Sequence, residues 1–207
     1  FYYNLDNMKL ALGTANFGNK YSVLNKQFQK KDIENLKKVI TKFNISLFDT
    51  AINYKNSHLL SKFINQKEIN FVSKISSNYT KNSLKEQVSI ILNEYKSKPI
   101  HGILFHNYQD LLTKKGKDVL KFLLKLKKQK KINKIGLSIY DPNELNKIWS
   151  FWVPDIVQAP FNVIDQRLYK TNWINKLKKN KIEIHARSCF LQGLLIHYNS
   201  KKKLYKK

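Results

Sequence analysis

The strongest constraint on the fold is an alternation repeated along the whole chain. Short runs rich in β-branched and aromatic residues are followed by longer segments whose apolar residues recur at helical spacing. The pattern predicts strands over residues 9–12, 46–49, 70–74, 100–105, 134–138, 154–158 and 182–187. Between them it predicts helices over 31–43, 57–65, 82–96, 117–130, 141–151 and 171–180. In the first helix Ile33, Leu36, Val39, Ile40 and Phe43 share one face. Asn82 or Ser83 is placed to cap the third, and Pro142 sits in the first turn of the fifth. Strands that alternate with helices define an α/β protein built on a parallel sheet. An open doubly wound sheet and a (β/α)8 TIM barrel both fit that alternation. The segment after the first strand, Gly13-Thr14-Ala15-Asn16-Phe17-Gly18, is neither a dinucleotide-binding nor a P-loop glycine pattern. The repeat of about 25–30 residues fits the barrel, which in full needs roughly 250 residues. A single domain over 1–207 is therefore expected, carrying seven strands of such a barrel with the eighth strand and last helices missing.

Composition narrows the class further. Cys189 is the one cysteine, which excludes an internal disulfide scaffold. No apolar run approaches the roughly 18 residues of a membrane-spanning helix. The first residues lack a basic region followed by an apolar stretch, so a cytoplasmic protein is the expectation. Lysine and arginine number 39 against 14 acidic residues, a net charge of +25. Such a charge raises nucleic acid as a partner. However, Arg167 and Arg187 are the only arginines, and specific phosphate and base recognition leans on the arginine fork. A solvated lysine surface with weak, salt-sensitive affinity for polyanions is expected, without specific nucleic-acid binding.

In a βα barrel the reacting groups stand at the C-terminal ends of the strands. Here those ends carry Asp49, Lys74, His106, Ser138 and Gln158, with Tyr54 five residues after Asp49. Alone, Asp49 reads equally well as a cap, Tyr54 as a packing residue and His106 as a structural histidine. Lys74 is one of very many lysines, but it directly follows apolar residues, where a charge needs a partner. Their joint placement makes a coherent chemistry. A free tyrosine gives up its proton near pH 10, and an adjacent ammonium lowers that value. A carboxylate beside the lysine keeps it charged and placed, and a histidine orients a carbonyl. The group is a proton donor above a carbonyl, and reduction of that carbonyl needs a nicotinamide to supply hydride.

The segments Leu12 to Gly18, Phe48-Asp49-Thr50-Ala51-Ile52-Asn53-Tyr54, Val72-Ser73-Lys74, Leu104-Phe105-His106-Asn107, Ile135-Gly136-Leu137-Ser138 and Ile156-Val157-Gln158 occur in one order along the chain. In that order they resemble the aldo-keto reductase family of βα barrels. The resemblance implies that Tyr54 donates the proton, Lys74 tunes it, Asp49 pairs with the lysine and His106 orients the substrate. It implies NADP(H), or alternatively NAD(H), as cofactor and a small carbonyl compound as substrate. Gly13, Thr14, Asp49, Ser138, Gln158, Arg187 and Ser188 would contact the cofactor, the last two on the nicotinamide face and pyrophosphate.

The sequence departs from the family at Ile139, where Asn often follows the strand-five serine, and at Lys55 and His58 beyond the tyrosine. An aromatic residue that often stacks on the nicotinamide is replaced near Arg187. His58, His101, His106, His185 and His197 show no zinc-ligand spacing, so no metal is expected. Cys189, in an apolar context, reads as an inert buried thiol, and Trp149, Trp152 and Trp173 read as packing residues. The rival reading is a truncated, non-catalytic scaffold or a basic barrel that binds polyanions.

Overall fold

The computed structural model describes residues 9–17, 28–54, 56–64, 69–78, 82–95 and 99–197. Gly18, Lys55 and the lysine tail after residue 200 lie outside these residues. Seven parallel strands form one sheet in sequence order: β1 (Ala11–Gly13), β2 (Leu47–Asp49), β3 (Asn70–Ile75), β4 (Ile100–Phe105), β5 (Ile132–Ser138), β6 (Ile156–Pro160) and β7 (Glu183–Arg187). Helices follow the strands: α1 (Ile33–Lys42), α2 (Ser57–Ile64), α3 (Leu84–Glu94), α4 (Tyr108–Leu112), α5 (Lys114–Lys128), α6 (Asn143–Trp149), α7 (Arg167–Lys170), α8 (Trp173–Lys179) and α9 (Leu194–His197).

The sheet is curled into seven staves of a (β/α)8 barrel. In a flat sheet β2 and β6 would stand about 19 Å apart, at about 4.8 Å per step. Instead Gln158 Nε2 of β6 donates to Asp49 Oδ1 of β2 at 2.9 Å. The curl divides the core in two. The larger part lies between strands and helices, and includes Phe48, Phe63, Phe71, Ile103, Phe105, Leu123 and Val157. Trp149 and Trp173 join it edge to face, their ring centroids 5.0 Å apart. The smaller part fills the barrel interior with Val72, Leu104 and Ile156, against which Leu47 packs. Gly136 makes this inner packing possible, because a Cβ there would stand 2.4 Å from Leu104 Cδ2 and 2.5 Å from the Ile156 carbonyl.

Polar side chains fix the loops that lead to the rim. Ser83 caps α3 in a reciprocal box with Glu86. Buried Gln87 accepts from the Ser76 amide and donates to the carbonyls of Ser76 and Asn82, tying the turn after β3 to α3. Asp110 of α4 accepts from the amide and hydroxyl of Ser77. Asp155 accepts from Lys127 and from the Ile135 amide, joining α5, β5 and the approach to β6.

Several boundaries differ from the sequence reading. The helix predicted over 117–130 is α5, which starts three residues earlier, and a short helix the pattern did not show, α4, precedes it; Thr113 ends one and caps the next. The segment before 171 holds α7, separated from α8 by Asn172 in the left-handed region. Strand β6 runs two residues further than predicted, so Gln158 is its third residue rather than its last.

Candidate active site

The C-terminal ends of the strands bring the polar residues together. Lys74, next to last in β3, is 1% exposed, so its ammonium is cut off from water. Its Nζ donates to Asp49 Oδ1 at 2.6 Å and to the Thr50 carbonyl at 2.9 Å. Burial lowers the Lys74 pKa, Asp49 raises it, and the nearby Arg187 charge lowers it further; the net shift is downward. The same Asp49 oxygen accepts from Gln158, so one carboxylate spans β2, β3 and β6. Tyr54 closes the short 3-10 turn Ile52–Tyr54 after β2. Its ring centroid is 5.7 Å from Lys74 Nζ.

His106 follows β4 directly, with its amide bonded to the Ile75 carbonyl. Burial first, and then the Lys74 and Arg187 charges, lower its pKa to about 4, against raising contributions from Asp49 and Asp110. The imidazole is therefore neutral at neutral pH. A neutral ring keeps one N–H donor and one acceptor nitrogen. Ser138 and Gln158 are partners in the β5–β6 register, and both are buried. The Ser138 hydroxyl and Gln158 Oε1 have no hydrogen-bond partner among the described residues.

Three residues take roles the sequence did not suggest. Thr14 is fully buried and donates its hydroxyl to the Asp49 carbonyl at 3.0 Å. Asn56 donates to both the carbonyl and the hydroxyl of Thr14 at 3.0 Å. The Thr50 hydroxyl in turn reaches Asn56 Oδ1 at 3.4 Å. This Thr14–Asn56–Thr50 net holds the loop that runs from Asp49 to Tyr54. Nothing in the spacing marked Asn56, because Thr14, to which it donates twice, is 42 residues away. Gly13 pairs with Asp49 in the β1–β2 register, and the space above its Cα is open.

Arg187 ends β7 at the same rim. Its guanidinium lies over the Tyr140 ring at 4.2 Å and donates to the Ile139 carbonyl at 3.1 Å. Its Nε is buried and has no hydrogen-bond partner among the described residues. Ser188 follows in the left-handed region (φ 57°), and its carbonyl accepts from Asn162. The side chain of Ile139 is fully buried in the outer core, so that position offers the rim no polar group. Cys189 is half-buried rather than buried, with its thiol raised by desolvation.

The sequence profile of the Aldo/keto reductase family matches residues 9–206. The chain belongs to the aldo/keto reductase family, a family of oxidoreductases. Solved structures share the fold. AKR11C1 from Bacillus halodurans, in its holo form, is similar at a TM-score of 0.71 and 16% identity over 90% of this chain and 64% of its own. An aldo-keto reductase from a Medee basin deep-sea metagenome is similar at 0.64 and 18% identity, over 95% and 69%. AKR2E5, solved in complex with NADPH, is similar at 0.59 and 16% identity, over 86% and 58%. No curated protein sequence matches the chain.

Proposed function

We propose that this chain carries the catalytic core of a nicotinamide-dependent oxidoreductase acting on an aldehyde or ketone, or on the corresponding alcohol. The observation that carries the reading is the buried ammonium of Lys74, held by Asp49 and the Thr50 carbonyl beside the Tyr54 ring. A buried ion pair is a poor way to stabilise a fold, since desolvation offsets most of its attraction. Its position at a strand end of a barrel is that of working chemistry.

In this reading Tyr54 protonates the carbonyl oxygen. Lys74 lowers the cost of the phenolate that remains, and Asp49 keeps Lys74 charged and fixed. His106, neutral across the working range, donates a hydrogen bond that aims the carbonyl. The donor set suits a nicotinamide. The unpartnered Ser138 hydroxyl and Gln158 oxygen match the acceptor and donor of a carboxamide. Open space over Gly13 admits close approach to the backbone. The unpartnered Arg187 Nε–H suits an anionic oxygen of a pyrophosphate, with Ser188 beside it. When bound, the nicotinamide would supply the hydride equivalent. Thr14 acts on this site by holding Asp49 rather than by its own exposed surface.

The test is a titration of the purified protein with NADPH and with NADH, followed by nicotinamide fluorescence at physiological salt, beside a short DNA duplex. Saturable nicotinamide binding without duplex binding is expected. Duplex binding that persists at that salt, with no response to either nucleotide, would establish the scaffold reading instead.

A further inference from the structure

We infer a second site, for one divalent transition-metal ion with zinc the best fit, at the N-terminal mouth of the barrel, held by His101, Glu183 and His185. The proposal does not depend on the carbonyl chemistry of the opposite rim.

One nitrogen from each histidine and one oxygen of Glu183 lie within 4.8 Å of one another. His101 Nε2 stands 3.0 Å from Glu183 Oε1, and His185 Nε2 stands 2.6 Å from the same oxygen. Tetrahedral zinc with bonds of about 2.0–2.2 Å spaces its ligand atoms about 3.3 Å apart. The two nitrogen–oxygen distances therefore need to lengthen by less than about 1 Å to admit the ion, and the two nitrogens already lie within 4.8 Å of each other. Two imidazoles and one carboxylate are a ligand set that zinc accepts with a fourth position left for water. Lys134 Nζ holds the other oxygen, Oε2, which also stands 3.1 Å from His101 Nε2, so the lysine fixes the carboxylate plane beside the histidines.

The site is distinct from the catalytic rim. His101 lies five residues before His106 on β4, Lys134 four before Ser138 on β5, and Glu183 four before Arg187 on β7. At about 3.3 Å per residue these offsets place them roughly 13–16 Å down the strands, while His185, two residues before Arg187, stands about 7 Å below the rim. All four residues fall in the first three positions of their strands. The side chains are neither sealed nor fully open: His185 is 11% exposed and His101 24%. An ion can therefore enter without unfolding the barrel.

The ion would have a structural task. Strands β4 and β7 are three steps apart in the sheet, about 14 Å if it were flat. A metal shared by His101 and His185 bridges that gap and locks the curl. The site was not legible in the sequence, because His101 lies 82 residues from Glu183 and only Glu183 and His185 are near neighbours in the chain.

The test is zinc titration of the metal-stripped full chain by calorimetry, with Co2+ absorption as an independent readout of tetrahedral nitrogen and oxygen ligation. One equivalent of zinc is expected to bind and to raise the melting temperature. His101→Ala, Glu183→Gln and His185→Ala should each weaken binding at least tenfold and remove the thermal shift, while His197→Ala changes neither. Lys134→Gln keeps all three ligands and should still take one equivalent, which separates ligation from loss of the ion-pair network. No saturable uptake by the folded wild-type chain would overturn the site. Equal uptake by His101→Ala and wild type would overturn it too, as would loss of binding in Lys134→Gln.

Discussion

Asp49 concentrates the chemistry of the rim, since Lys74 and Gln158 both bond its Oδ1. Removing its charge leaves a fully buried ammonium without compensation, a defect that costs about 3–5 kcal/mol in comparable pairs. Asp49→Asn should therefore lose more stability in urea than Lys74→Met, whose partner carboxylate is 19% exposed and can be hydrated. Equal losses would contradict the burial argument. His106 gives a pH signature. Its folded pKa of about 4 lies below the ordinary 6.5, so the unfolded chain binds more protons between those values. Its contribution to stability is thus present above pH 6.5 and is lost as pH falls toward 4. The urea midpoint of wild type should fall across that window more steeply than that of His106→Gln, and parallel curves would refute it. At this scale the residue types at the rim were legible in the sequence, because strand ends announce themselves. Contacts between distant segments were not. Asn56 on Thr14 exists only once β1 and β2 pair, and Gln158 on Asp49 only once the sheet has curled.

Among the elements, the strands were the most legible. Strand β4 has the bounds its alternation predicts, and β3 and β7 each differ by one residue. Short helices were not legible. Helices α4 and α7 have five and four residues, too few to display a helical repeat, and tertiary packing decides them. The anchoring of α3 shows the same division. Its Ser83–Glu86 box is local and readable, whereas Gln87 looks in sequence like any polar helix residue. Their energies should differ accordingly. Ser83→Ala should cost about 1 kcal/mol as a lost cap. Gln87→Ala strands buried partners on Ser76 and should cost about 3 kcal/mol. Urea unfolding of the two variants checks this, and a Gln87→Ala cost no larger than that of Ser83→Ala would show that water satisfies the turn.

For the molecule as a whole, curl brings the separate strand ends to one rim, and the sequence carries a net charge of +25. That charge resides in flexible lysines, so its attraction for polyanions is general and screened. Binding to a short DNA duplex should be measurable at about 0.01 M salt and vanish near 0.15 M, independent of sequence. A sequence preference, or binding that survives the salt, would contradict a merely solvated surface. In the proposed function the rim moves a proton from Tyr54 to a carbonyl oxygen. It is tested most directly by comparing NADPH-dependent turnover of a carbonyl panel by the wild type and Tyr54→Phe, with nucleotide affinity measured on both. A fall in turnover of about 10²–10⁴-fold with nucleotide affinity unchanged is expected, as when a positioned acid is removed. Turnover by Tyr54→Phe at the wild-type rate would contradict it.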